Sequence, residues 1–221
     1  NLSCKFCDIK NVPEEMSTAD ACKVIDKARA LGIREVIITG GEPLLHKGVF
    51  EIAGYARDCG IKSCITTNGV LIDQYFEQLV SGADVVSVSL DGTGPAHDSL
   101  RGSPGLAASV QRNILRLKEK GIIVSINFVL TRENIDELEP AYNWARSHDI
   151  YFDFWPVNHC RELFINTEND YQRVRKFAAR LKNRRLIPAS KYRYYLNMPF
   201  YLNKNGALRV RCLALARNVG V

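Results

Sequence analysis

Five short apolar runs, separated by longer amphipathic stretches, set the strongest limit on how this chain can fold. They are residues 34–39 (REVIIT), 61–67 (IKSCITT), 84–90 (DVVSVSL), 122–130 (IIVSINFVL) and 151–157 (YFDFWPV). Each is rich in β-branched or aromatic residues and has the length of a strand. None shows strict alternation, which predicts strands buried on both faces, as in a parallel sheet.

Helical spacing fills the gaps. Ala21, Val24, Ile25, Ala28 and Leu31 recur at helical intervals within 18–31, with Ser17 placed to cap the start and Gly32 to end it. Residues 49–59, 73–79, 107–120, 135–148 and 171–185 read the same way. Helix and strand therefore alternate, which implies a parallel sheet joined by crossovers. The first helix has no strand before it. One strand upstream of Asn1 would complete six units, so the expected fold is α/β, a partial (β/α)6 TIM-like barrel whose first strand is missing from this chain. Residues 1–160 form the expected barrel core, truncated at its N-terminus. Residues 161–221 form a helical extension, read as the possible start of an auxiliary-cluster domain.

Composition narrows the class. With 221 residues and 46% hydrophobic content, the chain can bury the core of one domain. It has no apolar run of bilayer length and no basic-then-apolar leader. Seven cysteines, an odd number, in a chain too large to need disulfides point to a reducing compartment, and hence the cytoplasm. A formal charge of +6 suits anionic ligands but does not by itself indicate nucleic acid.

Ligands of parallel α/β folds bind at the C-terminal strand ends. Those positions hold Gly40-Gly41-Glu42-Pro43, Thr67-Asn68-Gly69, Leu90-Asp91-Gly92, and Thr131 with Asn134. Gly and polar residues collected at one end of a sheet indicate a cofactor site, where glycine lets backbone approach a ligand. Cys4 and Cys7 form C-x2-C before the first helix. That pair alone fits half a zinc site, a redox pair or part of an iron–sulfur motif.

Taken together, these segments resemble the radical S-adenosylmethionine (SAM) superfamily. N-L-S-C-K-F-C, preceded by one more Cys, would read C-x3-C-x2-C, with Phe6 as the aromatic before the last Cys. Gly40-Gly41-Glu42-Pro43 resembles the family's GGEP motif, and residues 66–69 and 87–92 resemble its next two strand ends. The resemblance spans residues 1–157 and implies a [4Fe–4S] cluster held by Cys4, Cys7 and a third ligand just before Asn1. It leaves one iron open to SAM. It further implies reductive cleavage of SAM to a 5'-deoxyadenosyl radical that abstracts hydrogen from a peptide or cofactor-precursor substrate, with an external electron donor.

Residue roles follow from the same resemblance. Gly40, Gly41 and Glu42 would receive the methionyl ammonium, with Pro43 setting the turn. Thr67 and Asn68 would lie near the methionyl group. Ser89 and Arg101 would reach the ribose and carboxylate, Asn127 would point into the same space, and Val157 would sit where adenine packs. Asp91 is read as a turn residue, and Cys22, Cys59 and Cys64 as core thiols. Cys212 is a possible auxiliary-cluster ligand.

Two rival readings remain at this level. The basic stretch 171–185, with Tyr192, Tyr194 and Tyr195 beyond it, could bind RNA or an acidic peptide on a barrel scaffold, although a solvated helix face explains it as well. Cys4 and Cys7 could instead serve a zinc-binding structural protein.

Overall fold

A computed structural model describes residues 1–7, 15–157 and 160–183. Helix α1 (Thr18–Ala30) precedes strand β1 (Glu35–Ile38). Then follow α2 (Val49–Asp58), β2 (Lys62–Thr67), α3 (Phe76–Gly82), β3 (Val85–Ser89), α4 (Pro95–Arg101), α5 (Leu106–Glu119), β4 (Ile123–Leu130), α6 (Leu138–Ser147), β5 (Tyr151–Pro156) and α7 (Glu168–Asn183). The five strands are all parallel and lie in sequence order, β1 to β5, forming an α/β half-barrel. Ser17 caps α1 as its residue type predicts, its hydroxyl accepting from the Asp20 amide.

The expectation of strands buried on both faces is corrected. Along β4, Val124, Ile126, Phe128 and Leu130 are buried, while Ser125, Asn127 and Val129 between them are half-buried and Ile123 is exposed. The helices cover only one face of the sheet. There Ile65, Val86, Val88, Ile126, Phe128 and Phe154 pack with Val110, Ile114 and Leu117 of α5 and with Val174, Phe177 and Leu181 of α7. The other face bounds a hollow lined by Thr39, Thr66, Ser87, Ser125, Asn127 and Asp153, which continues past the β5 edge to Tyr142, Arg146 and Leu181 and measures about 980 Å³ in all. Small hydroxyl residues among Val and Ile gave these strands an apolar look, although they point to the opposite side.

The helices depart from the sequence reading in places. Helix α6 starts at Leu138 rather than 135, after a 3-10 turn. Helix α3 starts at Phe76 rather than 73, because residues 70–75 form turns. The seven-residue α4 was not anticipated. Its Pro95 fills the first turn and Gly102 ends it in the left-handed region, at φ 69°. On α7, Arg173 and Arg180 pair with Asp136 and Glu139, as on a solvated helix face. No helix among the described residues is long and apolar enough to cross a membrane. Residues 184–221, which include the tyrosine group and Cys212, lie outside the described residues.

Candidate functional site at the strand ends

The loop after β1 is tied to the loop after β2 through one carboxylate. Glu42 is buried and caps a short 3-10 turn, Pro43–Leu45. Its Oε1 accepts the Leu44 amide at 3.1 Å and the Thr67 hydroxyl at 2.7 Å, and its Oε2 accepts the Asn68 amide at 2.8 Å. The Thr67 side chain is thus committed to Glu42. Asn68 Nδ2 donates to Asn1 Oδ1 at 2.8 Å, which brings the cysteine-bearing segment to the same rim. Gly69, at φ +88°, is required here, since a Cβ would stand 2.6 Å from Val110 Cγ2. At Gly40 and Gly41 a Cβ would meet nothing within 4 Å, so the backbone there faces open space.

The Cys4–Cys7 segment is seated on the C-terminal end of α4. The Cys7 amide closes a turn on the Cys4 carbonyl at 3.3 Å, and the Lys5 amide donates to Leu100 O at 2.9 Å. Lys5 Nζ reaches Ser99 Oγ at 3.1 Å and Glu133 Oε2 at 2.8 Å. Phe6 packs against an apolar group of Leu100, Val157 and Leu163. Cys4 is buried and Cys7 half-buried.

Arg101 lies between these anchors and is buried, not a solvated loop charge. Its Nε donates to Asp91 Oδ2 at 2.6 Å, its Nη1 stands 4.0 Å from Cys4 Sγ, and its guanidinium carbon lies 5.0 Å from the Phe6 ring centre. Burial acts to lower the Arg101 pKa, but the charge and hydrogen bond of Asp91, with a smaller contribution from Cys4, leave it above its ordinary value. Asp91 is correspondingly not a turn residue. It is fully buried, and its Oδ1 accepts the Val129 amide at 2.8 Å. Asn134 Nδ2 donates to both Asp91 O and Val129 O, and Asn134 Oδ1 accepts the Thr131 amide and hydroxyl. His97 Nδ1 accepts the Asp91 amide at 2.9 Å. Burial holds the His97 pKa down to about 4, Asp91 opposing the shift and Arg101 reinforcing it.

Ser89 and Asn127 are register partners on β3 and β4. Asn127 Oδ1 is shut off from solvent and has no hydrogen-bond partner among the described residues. A buried acceptor of this kind calls for a donor. Together with the open backbone at Gly40 and Gly41, it fits a polar ligand laid along the strand ends. Sequence reasoning placed Asp91, Asn134, Thr66 and Ser87 at the strand ends without giving them a role, and it missed Cys64 and Ser125 as lining of the hollow. The S-V-S step at 87–89 was the available signal for the hollow. Cys4 and Cys7 supply two adjacent thiols beside a guanidinium, a donor pair that suits part of an iron–sulfur ligand set. No group of three His, Cys, Asp or Glu able to hold a metal occurs among the described residues.

Five parallel strands, helices on one face and a polar hollow on the other define an α/β half-barrel protein. Residues 1–145 match the Radical SAM superfamily. The chain is 35% identical over 149 residues to the AdoMet-dependent heme synthase of Nitratidesulfovibrio vulgaris, covering 64% of this chain and 41% of that protein. It is 32% identical over 156 residues to the Fe-coproporphyrin III synthase of Methanosarcina barkeri, covering 68% and 39%. Streptococcus suis SuiB bound to S-adenosylmethionine superposes with a TM-score of 0.70 at 19% identity, covering 83% of this chain and 45% of SuiB. The chain belongs to the radical SAM superfamily, and it spans about two-fifths of the length of these two curated relatives.

Proposed function

We propose that the full-length protein is a radical SAM enzyme acting on a heme-type cofactor precursor. In this reading Cys4, Cys7 and a cysteine directly before Asn1 hold a [4Fe–4S] cluster. Such a cluster, supplied by an external donor, would provide the single electron needed for reductive cleavage of SAM and hence for hydrogen abstraction from the substrate. The chain's own part is placement. Gly40 and Gly41 admit the ligand close to backbone, Glu42 receives its ammonium, and Pro43 holds the turn. Thr67 and Asn68 keep the Glu42 carboxylate in position. Ser89, Asn127 and the Arg101 N–H groups not bound to Asp91 address the ribose and carboxylate, and Val157 with Phe6 forms the apolar end for adenine.

The observation that carries this reading is the Asn1–Asn68 hydrogen bond, which joins the cysteine segment to the Glu42 network on one rim of the sheet. A cofactor precursor is favoured over a peptide because identities of 35% and 32% tie the chain to proteins named for heme and Fe-coproporphyrin III synthesis. The likeness to SuiB, at 19%, speaks for the fold alone. The hollow also exposes the side chains of Ile37, Tyr151 and Trp155, suited to a flat, largely apolar ligand.

The test is anaerobic cluster reconstitution of the full-length protein, followed by reductant, SAM and Fe-coproporphyrin III. The expected result is 5'-deoxyadenosine with a mass change in the porphyrin. No 5'-deoxyadenosine despite a filled cluster would sink the enzyme reading. Its formation with an unchanged porphyrin would sink the assignment to that precursor and return a peptide to first place.

A further inference from the structure

The ion pair of Asp91 and Arg101 is shut away from solvent at a place where the assigned chemistry does not require a second charge. Asp91 is fully buried and Arg101 nearly so. Burying two charges is costly unless they are paired and hydrogen-bonded. Here they pair with each other. Asp91 spends one oxygen on the Val129 amide and the other on Arg101 Nε. Its backbone is fixed by His97 on the amide side and Asn134 on the carbonyl side. Arg101 is therefore held from behind, and its Nη1 is directed at Cys4 Sγ, 4.0 Å away.

The cysteine segment is locked onto the same helix end by contacts that do not involve Arg101. These are the Lys5 amide on Leu100 O and the Lys5 ammonium on Ser99 and Glu133. At Gly102 a Cβ would come within 3.2 Å of Ser3 O, so the segment lies directly against the turn that ends α4. The geometry thus sets a fixed cation beside one sulfur in a water-poor site. Hydrogen bonds to cluster sulfurs, net charge and solvent exposure are the levers that set an iron–sulfur potential, and a charge acts most strongly where the surroundings are least polar.

We infer that Arg101, held in place by Asp91, tunes the reduction potential of the cluster through an N–H···S contact to Cys4, with Asp91 as a positioning residue. This role is additional to any contact Arg101 makes with SAM, and it rests on the reading of Cys4 as a cluster ligand. The direction follows from charge: a cation at the thiolate stabilises the reduced, more negative cluster, so removing it makes reduction harder.

The test uses full-length protein with its cluster reconstituted and no SAM present. The potential is measured by dithionite titration followed by electron paramagnetic resonance, with iron content recorded alongside. Arg101→Gln is expected to shift the reduction equilibrium at least tenfold toward the oxidised cluster, about 59 mV for one electron. Asp91→Asn is the sharper test. As a bare charge, its loss would raise the potential; as the loss of Arg101's anchor, it lowers the potential in the same direction as Arg101→Gln. Arg101→Lys keeps a cation but not the fork, and is expected between wild type and Arg101→Gln. It also serves if the Gln variant does not load iron. An unmoved potential in Arg101→Gln, or in Arg101→Lys where only that variant loads, overturns the tuning role. A raised potential in Asp91→Asn overturns the positioning role. A wild-type protein that takes up no cluster fails the underlying assignment of Cys4 instead.

Discussion

Glu42 Oε1 accepts the Thr67 hydroxyl at 2.7 Å, a bond that reaches across 25 positions of sequence to join the ends of β1 and β2. The same carboxylate accepts two backbone amides, from Leu44 and Asn68. The GGEP segment is therefore held by its own glutamate before any ligand arrives, and the glycines stay open because that glutamate fixes the loop beside them.

Glu42→Ala removes the acceptor for all three donors at once. A buried donor left unmatched costs about 1–3 kcal/mol; part of this group can reach water in the variant, so we expect a loss of about 2 kcal/mol in urea unfolding. Glu42→Gln keeps one acceptor oxygen and is expected to lose about half as much. SAM affinity, followed by equilibrium dialysis on the reconstituted full-length protein, is expected to fall roughly tenfold or more in the Ala variant. Unchanged stability in both variants would show that the network is not structural.

Gly102→Ala tests the seat of the cysteine segment. Gly102 has φ +69°, where a side chain costs roughly 1–2 kcal/mol, and its Cβ would press on Ser3 O at 3.2 Å. Gly105→Ala is the matched control: it has φ +78° and nothing within 4 Å of the added Cβ. Both variants are expected to lose similar stability, whereas only Gly102→Ala should lower iron uptake on reconstitution. Equal iron content in the two would remove the claim that this contact positions Cys4.

The sheet was readable because β-branched residues cluster in runs of strand length, and the strand-end glycines were readable because they follow each run. The two faces of the sheet were harder to separate. Ser87 and Ser125 are small enough to pass as members of an apolar run, and only their register with each other and with Thr66, on the same face as Asn127, shows that they line a hollow. Cys64 was read as a core thiol and is indeed buried, yet it lines the same hollow. Asp91 was misread for another reason. Its neighbours Leu90 and Gly92 give a turn signature, whereas its burial is created by Arg101, Val129 and Asn134, which local sequence cannot bring together. Helix α4 escaped notice because seven residues are too few to display an amphipathic period.

Asn127→Leu separates stability from binding. The Oδ1 of Asn127 has no partner among the described residues and sees no solvent, a state that costs free energy in the ligand-free protein. Replacing the amide by a side chain of similar size removes that penalty, so the variant is expected to gain about 1 kcal/mol in ligand-free unfolding. If Asn127 addresses SAM as proposed, the same variant should bind SAM roughly tenfold more weakly, about 1.4 kcal/mol. A variant that is less stable yet binds SAM normally would assign Asn127 to the scaffold instead.

His97 makes the stability of this end of the sheet sensitive to acid. It is fully buried on α4, and its Nδ1 accepts the Asp91 amide, so protonation there would break that bond. The charged groups bearing on it are Asp91, with Oδ2 3.8 Å from Nδ1, together with Arg101 and Asp98. Burial dominates and lowers the pKa from 6.5 to about 4. The unfolded chain therefore binds a proton that the folded chain refuses between those values. The stabilisation is fully present above about pH 6.5 and is lost as pH falls toward 4. A shift of this size corresponds to roughly 3 kcal/mol over the interval. His97→Gln keeps an acceptor for the Asp91 amide and cannot titrate. Urea unfolding of wild type and variant between pH 7 and 4 should give curves that diverge as acid is added, the wild type falling faster, while carboxylates common to both cancel in the difference. Parallel curves would mean that His97 takes up its proton without disturbing the fold.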